Sequence, residues 1–342
     1  MTRHASYLDW NATAPLRPEA AAAIAAALDR CGNPSSVHRW GRAARQIVER
    51  AREAVAALIG ADPEGVVFVS GGTEANHLAL LGTSRERVLV SAVEHSSVLQ
   101  AVPSAERIAV DADGIVDLAD LDRQLAADPR PALVSVMLAN NETGVIEPAA
   151  EIGVIAHRHG ALFHCDAVQA AGKIPVDTGA IGADLLSLSA HKLGGPPGIA
   201  GFAAAATAAA EGIADYDRVR QLRDQLEAAV AAIAPEAIVI GAHIPRLPNT
   251  TALALPGVSA ETQVIGLDLE AVMISAGAAC SSGKVGPSHV LAAMGAGAEI
   301  TGSTIRISLG WSTREAEIEH FLKAWTALYR RLYRPNAAAR AA

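Results

Sequence analysis

Lysine is scarce in this chain. Of the 28 Lys and Arg residues, four are lysines (Lys173, Lys192, Lys284 and Lys323) and 24 are arginines. A chain that carries its positive charge on arginine has little use for lysine as mere surface charge. Lys192, in the stretch SLSAHKLGGPPG (187–198), therefore invites a chemical reading. Aromatic residues make up 4% against 51% hydrophobic residues overall, so Ala, Val, Leu and Ile must build the core. The three cysteines, Cys31, Cys165 and Cys280, form neither a CxxC nor an even set. That argues against a disulfide framework and fits a reducing cytoplasm, with a thiol free for chemistry. No apolar run is long enough to span a bilayer, and MTRHASYLDWNATAPL lacks the apolar core of a signal peptide. Net charge is −8 with the basic residues scattered, which argues against nucleic acid as a partner; a membrane partner is likewise not expected.

Helical and strand patterns alternate over most of the 342 residues. PEAAAAIAAALDRC and RAARQIVERAREAVAALIG predict helices, the second ending at Gly60. GVVFVS (65–70), RVLVSAV, ERIAVDA, ALVSVMLA, ALFHCDA and DLLSLSA predict short strands, with AAEIGVIAHRHG a helix among them. Repeated βα units predict a mostly parallel sheet covered on both faces. Helix dominates about 202–234, broken at Gly212. AIVIGA, TTALALPG, VMISAGAAC and STIRISLG then give way to REAEIEHFLKAWTALYRRLY, the pattern of a smaller α+β domain. The expected division is a large α/β domain over 14–214 and a small domain over 1–13 and 215–342.

Ligands of parallel α/β sheets sit beyond the carboxyl ends of the strands. Five predicted strand ends here carry polar or ionisable groups: Gly72-Thr73-Glu74, Glu94-His95, Asn140-Asn141-Glu142, Asp166 to Gln169, and Ser189 to Lys192. Gly71-Gly72-Thr73 offers backbone N–H groups and a helix dipole to an anion such as a phosphate, or is simply a tight turn capped by Thr73. Asp166 can keep a ring nitrogen protonated, or cap the helix that follows. Lys192, held at a partly desolvated strand end, has a lowered pKa and can form a Schiff base, or else lies exposed on a loop. Ser189 and His191 could add phosphate contacts. A phosphate cradle, an aspartate for a pyridinium and a Schiff-base lysine together make the set that a pyridoxal phosphate site needs. Cys280, among small residues in SAGAACSSGKVG, could present its thiol to substrate. Arg306 could clamp a carboxylate with two parallel hydrogen bonds, or is a surface strand arginine.

With these motifs in order, the chain resembles the cysteine desulfurases of the NifS and IscS type, in the class V aminotransferase group of fold-type I pyridoxal phosphate enzymes. The resemblance runs from YLDWNATAPL to the C-terminal helix. It is carried by GNPSSVHRWG, VSGGTEAN, VEHSSVL, ANNETGVIEP, HCDAVQAAGKIPVD, SLSAHKLGGPPG, SAGAACSSGK, GPSHVLAAMG and STIRISLGWST. It implies a large domain with a mostly parallel, seven-stranded type of sheet. It implies Lys192 as the Schiff-base lysine, Asp166 on the pyridine nitrogen and Gln169 on the ring's phenolic oxygen. His95 would stack on the ring and move protons, and Gly72, Thr73, Ser189 and His191 would hold the phosphate. Asn141 would lie near cofactor and substrate, Arg306 would bind the substrate carboxylate and Cys280 would be the nucleophile. The implied reaction takes sulfur from L-cysteine, leaving L-alanine and a persulfide on Cys280. An acceptor protein, such as an iron–sulfur scaffold or a sulfur carrier, would then receive the sulfur. The family is homodimeric. Selenocysteine lyase or another β-eliminating enzyme of the same fold, with Cys280 dispensable, stands as an alternative.

The chain departs from the family at one place. A GGGQE…RSGT-like segment, whose Thr reaches the phosphate of the neighbouring subunit's cofactor, has no counterpart here. PPGIAGF runs straight into AAAATAAAEG. Either Gly198–Phe202 is a strand with a loop removed, or it already belongs to the helix and a strand is missing too. The helical reading of AGFAAAATAAAE fits better. A protein that has lost activity and serves only as a scaffold is the third reading.

Overall fold

The computed structural model describes residues 5–277 and 287–333. Its centre is a five-stranded, wholly parallel sheet. From one edge to the other the strands are Glu106–Ile108, Arg87–Ser91, Ala132–Met137, Leu162–Asp166 and Leu185–Ser187. The middle strand, ALVSVM, is buried at all six positions, as a strand covered on both faces must be. Val134, Val136, Phe163 and Cys165 form its core with Ile152 and Ala156 of the helix Ala149–Arg158 and with Val55 and Ile59 of the helix Arg39–Ile59.

A second apolar core lies under a four-stranded antiparallel sheet. Its order is Ser275–Ala276, Thr304–Ser308, Thr250–Ala254, Ile238–Val239. Phe321, Trp325 and Leu328 of the helix Glu315–Leu332 pack there against Leu226 and Val230 of the helix Tyr216–Ile233. The N-terminal segment crosses between the two sheets. Ser6–Tyr7 pairs in parallel with Val272–Met273, and Trp10 stands edge-on to Trp311 with centroids 4.6 Å apart. The Arg17 guanidinium lies 3.7 Å above the Trp311 ring. Only glycine fits at 310, where a Cβ would meet the Trp10 ring at 2.0 Å. Gly194, just after Lys192, combines φ +78° with a Cβ position 2.5 Å from Trp311. The lysine loop is thus held against Trp311 and the N-terminal segment by a contact that admits no side chain.

Two expectations are corrected. The sheet has five strands among the described residues, not seven. The predicted strand GVVFVS (65–70) pairs with no described strand, while Ile199–Glu211 is a helix, in line with the preferred reading. Composition explains that helix: IAGFAAAATAAAE has eight alanines and one β-branched residue after its first position, which favours helix. The first follows from it. With that segment helical, no strand lies between Val66–Val69 and the outer edge of Leu185–Ser187. A cavity of about 960 Å³ occupies the space instead, lined by Val66, Phe68, Leu186, Leu188, Ile199 and Phe202.

Candidate active site

The carboxyl ends of the parallel strands bring most of the expected residues to one edge. Asp166 ends its strand in register with Met137 on one side and Ser187 on the other. Its carboxylate is buried; one oxygen accepts from Asn76 Nδ2 at 2.8 Å and the other from the Val168 N–H at 3.0 Å. Asn76 is itself held by Ser97 at 2.9 Å, and its Oδ1 is buried without a partner. His95 caps the short helix Ser96–Leu99, its Nδ1 lying 2.8 Å from the Ser97 hydroxyl. Its ring is exposed at the surface, but desolvation on the side facing the site lowers its pKa.

Lys192 donates to the backbone carbonyls of Asn11 and, at 2.9 Å, Ala12. Burial lowers its pKa to about 8, with the Arg306 cation adding to the shift and Asp9 and Asp166 opposing it. Gln169 is buried, donating through Nε2 to the Asn11 carbonyl at 2.9 Å and accepting at Oε1 from Lys173 at 2.8 Å. Arg306 is 3% exposed, with one nitrogen on Asp9 at 2.7 Å and another on the Asn141 carbonyl at 3.0 Å. Its Nε is buried with no partner. Arg306 is therefore not a surface strand arginine, and Asn141 enters the site through its backbone oxygen.

The helix Gly72–Gly82 begins at Gly71 with no side-chain cap, so Thr73 does not cap it. The Glu74 carboxylate turns back to the Ser70 N–H at 2.6 Å, leaving the N–H groups of the first turn free for a ligand. A Cβ at Gly72 would meet Val168 at 3.4 Å and the Ser189 Cβ at 3.5 Å, so the glycine and the serine face each other across one small hollow. His191 is exposed, its Nδ1 3.3 Å from the Thr13 hydroxyl. The large cavity opens from this hollow and includes Gly72, Thr73, Ser189 and His191 in its wall, but not Lys192 or Asp166.

Cys280 lies outside the described residues. The residues flanking that stretch meet at Glu142: Ser288 donates to its Oε2 at 2.5 Å, and a Cβ at Gly277 would lie 3.3 Å from the same oxygen. Of the other two cysteines, Cys165 is buried within its strand and Cys31 is exposed. Among the described residues no cluster suited to a metal ion occurs, and no helix is long and apolar enough to cross a membrane.

Three groups that sequence reasoning did not single out prove central. Asn11 is 1% exposed and joins Lys192, Gln169, Lys173, Asn249, Thr250 and Ser308 through its backbone and side chain. Asp9 partners Arg306, and Lys173 is buried beside Gln169. The scarcity of lysine that pointed to Lys192 applies equally to Lys173.

The model of the aminotransferase class-V family matches residues 6–211 and 199–321. The chain belongs to that family. It is 40% identical over 366 residues to a cysteine desulfurase of Cereibacter sphaeroides, covering 93% of this chain and 94% of that one. It is 36% identical to the cysteine desulfurase IscS of Dictyoglomus turgidum, with 92% of each covered. The crystal structure of a NifS-like protein from Rickettsia africae superposes with a TM-score of 0.88 at 32% identity, over 96% of this chain and all of that one. The family's two matches overlap on 199–211, the helix next to the cavity. Taking up 93% of 342 residues, about 318, the 366-residue alignment leaves about 48 positions where the Cereibacter protein has residues and this chain has none. The overlapping ends of the two family matches put the break in the family pattern at 199–211, beside the cavity at the sheet edge.

The donor set fits pyridoxal phosphate. A partly buried amine of lowered pKa, a buried carboxylate oriented by two hydrogen bonds, and a hollow at an uncapped helix start match its aldehyde, ring nitrogen and phosphate.

Proposed function

We propose that this chain is a pyridoxal phosphate-dependent cysteine desulfurase that takes sulfur from L-cysteine and releases L-alanine. The observation that carries the reading is the convergence of Lys192, Asp166 and the uncapped start of Gly72–Gly82 at one sheet edge, in a chain of the class-V family. Bound there, the cofactor would withdraw electrons from the substrate's α-carbon. Every other role falls to the chain itself. Gly72, Thr73, Ser189 and His191 hold the phosphate, and Asp166, kept in place by Asn76 and Val168, keeps the ring nitrogen protonated. Gln169 donates to the ring oxygen, and His95 covers the ring and moves protons. Lys192 holds the cofactor and exchanges the substrate's α-proton. Arg306 and the side-chain amide of Asn141 receive the substrate carboxylate, the orphaned Nε of Arg306 being a donor without a partner. The Cys280 thiolate takes the sulfur as the substrate's C–S bond breaks, and the β-carbon takes up a proton. A sulfur-accepting protein of the scaffold or carrier type would then receive the persulfide sulfur, and the enzyme would act as a pair of identical chains. We assign 14–214 to the cofactor-binding domain and 1–13 with 215–342 to the smaller one, a division supported by the two largest apolar cores, each drawn almost wholly from one side of it.

The test is an absorbance spectrum of the purified protein with pyridoxal phosphate, before and after L-cysteine, with alanine assayed and the mass of Cys280 measured. A visible band, alanine and a 32-dalton addition on Cys280 support the reading. A band with pyruvate and free sulfide in place of alanine, surviving Cys280→Ser, replaces it with β-elimination. No band, even with excess cofactor, leaves the scaffold reading, which the shortened sheet edge favours.

A further inference from the structure

We propose that Lys173 is a positioning residue: by occupying the Gln169 oxygen it turns the Gln169 amide nitrogen toward the ring oxygen of the bound cofactor. The inference rests on the cofactor reading above. Lys173 is 3% exposed and donates to Gln169 Oε1 at 2.8 Å and to Asn11 Oδ1 at 2.9 Å. The charges that act on it are those of Lys192 and Arg306, both cations, and no described carboxylate pairs with it. A buried amine among amide oxygens and like charges is costly to keep, and an apolar side chain would fill the same space more favourably. What the amine supplies is direction.

The two ends of a glutamine amide are nearly equal in shape but opposite in hydrogen bonding. Facing an anionic ring oxygen, the nitrogen end attracts and the oxygen end repels. A lysine amine is a donor, so Lys173 selects Oε1 and leaves Nε2 on the far side. Nε2 now rests on the Asn11 carbonyl at 2.9 Å, and the Lys192 amine rests on that same oxygen. One carbonyl therefore holds the Gln169 N–H beside the group that would carry the cofactor. Lys173 steadies this arrangement twice, because it also holds the Asn11 side chain.

The experiment compares Lys173→Met, Gln169→Leu and the double variant, each loaded with pyridoxal phosphate and titrated from acid to alkaline pH on the visible band. Loss of a hydrogen bond to a charged oxygen is expected to raise the transition by about one pH unit in each single variant. The double variant should shift no further than either. A Lys173→Met protein that melts lower but titrates like the parent overturns the proposal. If the parent protein shows no band and borohydride fixes no pyridoxyl mass on Lys192, both the cofactor reading and this inference fall, and that is visible before any variant is made. Should Lys173→Met not fold, hydrogen exchange of the Gln169 side-chain amide in the intact apoprotein decides. Slow exchange supports a held amide, and exchange as fast as that of an exposed glutamine overturns it.

Discussion

Lys192 should capture pyridoxal phosphate with a pH dependence set about two to three units below that of ordinary lysine. Only the neutral amine attacks an aldehyde. With a pKa of about 8, about one tenth of Lys192 is neutral at pH 7. For an ordinary lysine near 10.5 the neutral fraction at that pH is about 0.03%, so the difference in attacking species is roughly 300-fold. The sign follows from the cause. Burial penalises the ammonium, and the Arg306 cation penalises it further. Apoprotein mixed with excess pyridoxal phosphate should therefore show a capture rate that rises about tenfold per pH unit up to about 8 and then levels. Arg306→Gln removes one of the two depressing causes and should move the plateau to higher pH. The assay is the growth of visible absorbance after rapid mixing, with borohydride reduction and peptide mass placing the cofactor on Lys192. A rate that climbs without levelling to pH 10, or a plateau unmoved by Arg306→Gln, would refute the argument.

Gly72→Ala places its methyl at ordinary contact distance from Val168 and Ser189, so the melting temperature should hold while affinity for pyridoxal phosphate falls at least about tenfold, read by fluorescence titration. A parallel loss of stability would mean that the hollow is structural. Asn76→Leu deletes a 2.8 Å hydrogen bond to Asp166 and should weaken cofactor binding by about 1–2 kcal/mol, roughly five- to thirtyfold; unchanged affinity would show that the Val168 N–H alone orients the carboxylate. Trp325→Ala empties the centre of the second core and should cost about 3–5 kcal/mol in denaturant unfolding, whereas a cost under about 1 kcal/mol would show that this core collapses around the gap.

Much of the site was legible because chemistry at strand ends leaves a local mark. Asp166, Gln169, Ser189 and Lys192 each follow an apolar run within a few residues, and the parallel order of the sheet then brings them together. The Cβ-free start of Gly72–Gly82 could be read the same way, although the choice between phosphate site and capped turn needed the structure to show that Thr73 does not cap. Asn11 and Asp9 left no such mark. They stand in a segment with little regular structure, and their importance comes from contacts with residues 130 to almost 300 positions away. GVVFVS misled for a related reason. Its β-branched residues suit a strand, but a strand exists only where another offers its backbone, and the alanine-rich Ile199–Glu211 had become a helix.

The open side of Leu185–Ser187 has a consequence for handling the protein. A parallel sheet normally ends on a strand that is short, charged or covered, because an exposed ladder of N–H and C=O groups recruits other chains. Here the last strand reads Leu-Leu-Ser and shares a cavity wall with Val66, Phe68 and Val69, with the Arg52 guanidinium 5.5 Å from the Phe68 ring. Crowding on the ribosome, concentration on a column and slow refolding all favour the wrong neighbour at such a place. The protein should be most tractable when kept dilute, and a single lysine placed at the exposed Val67 should do more for its solubility than the same charge anywhere on the helical surface.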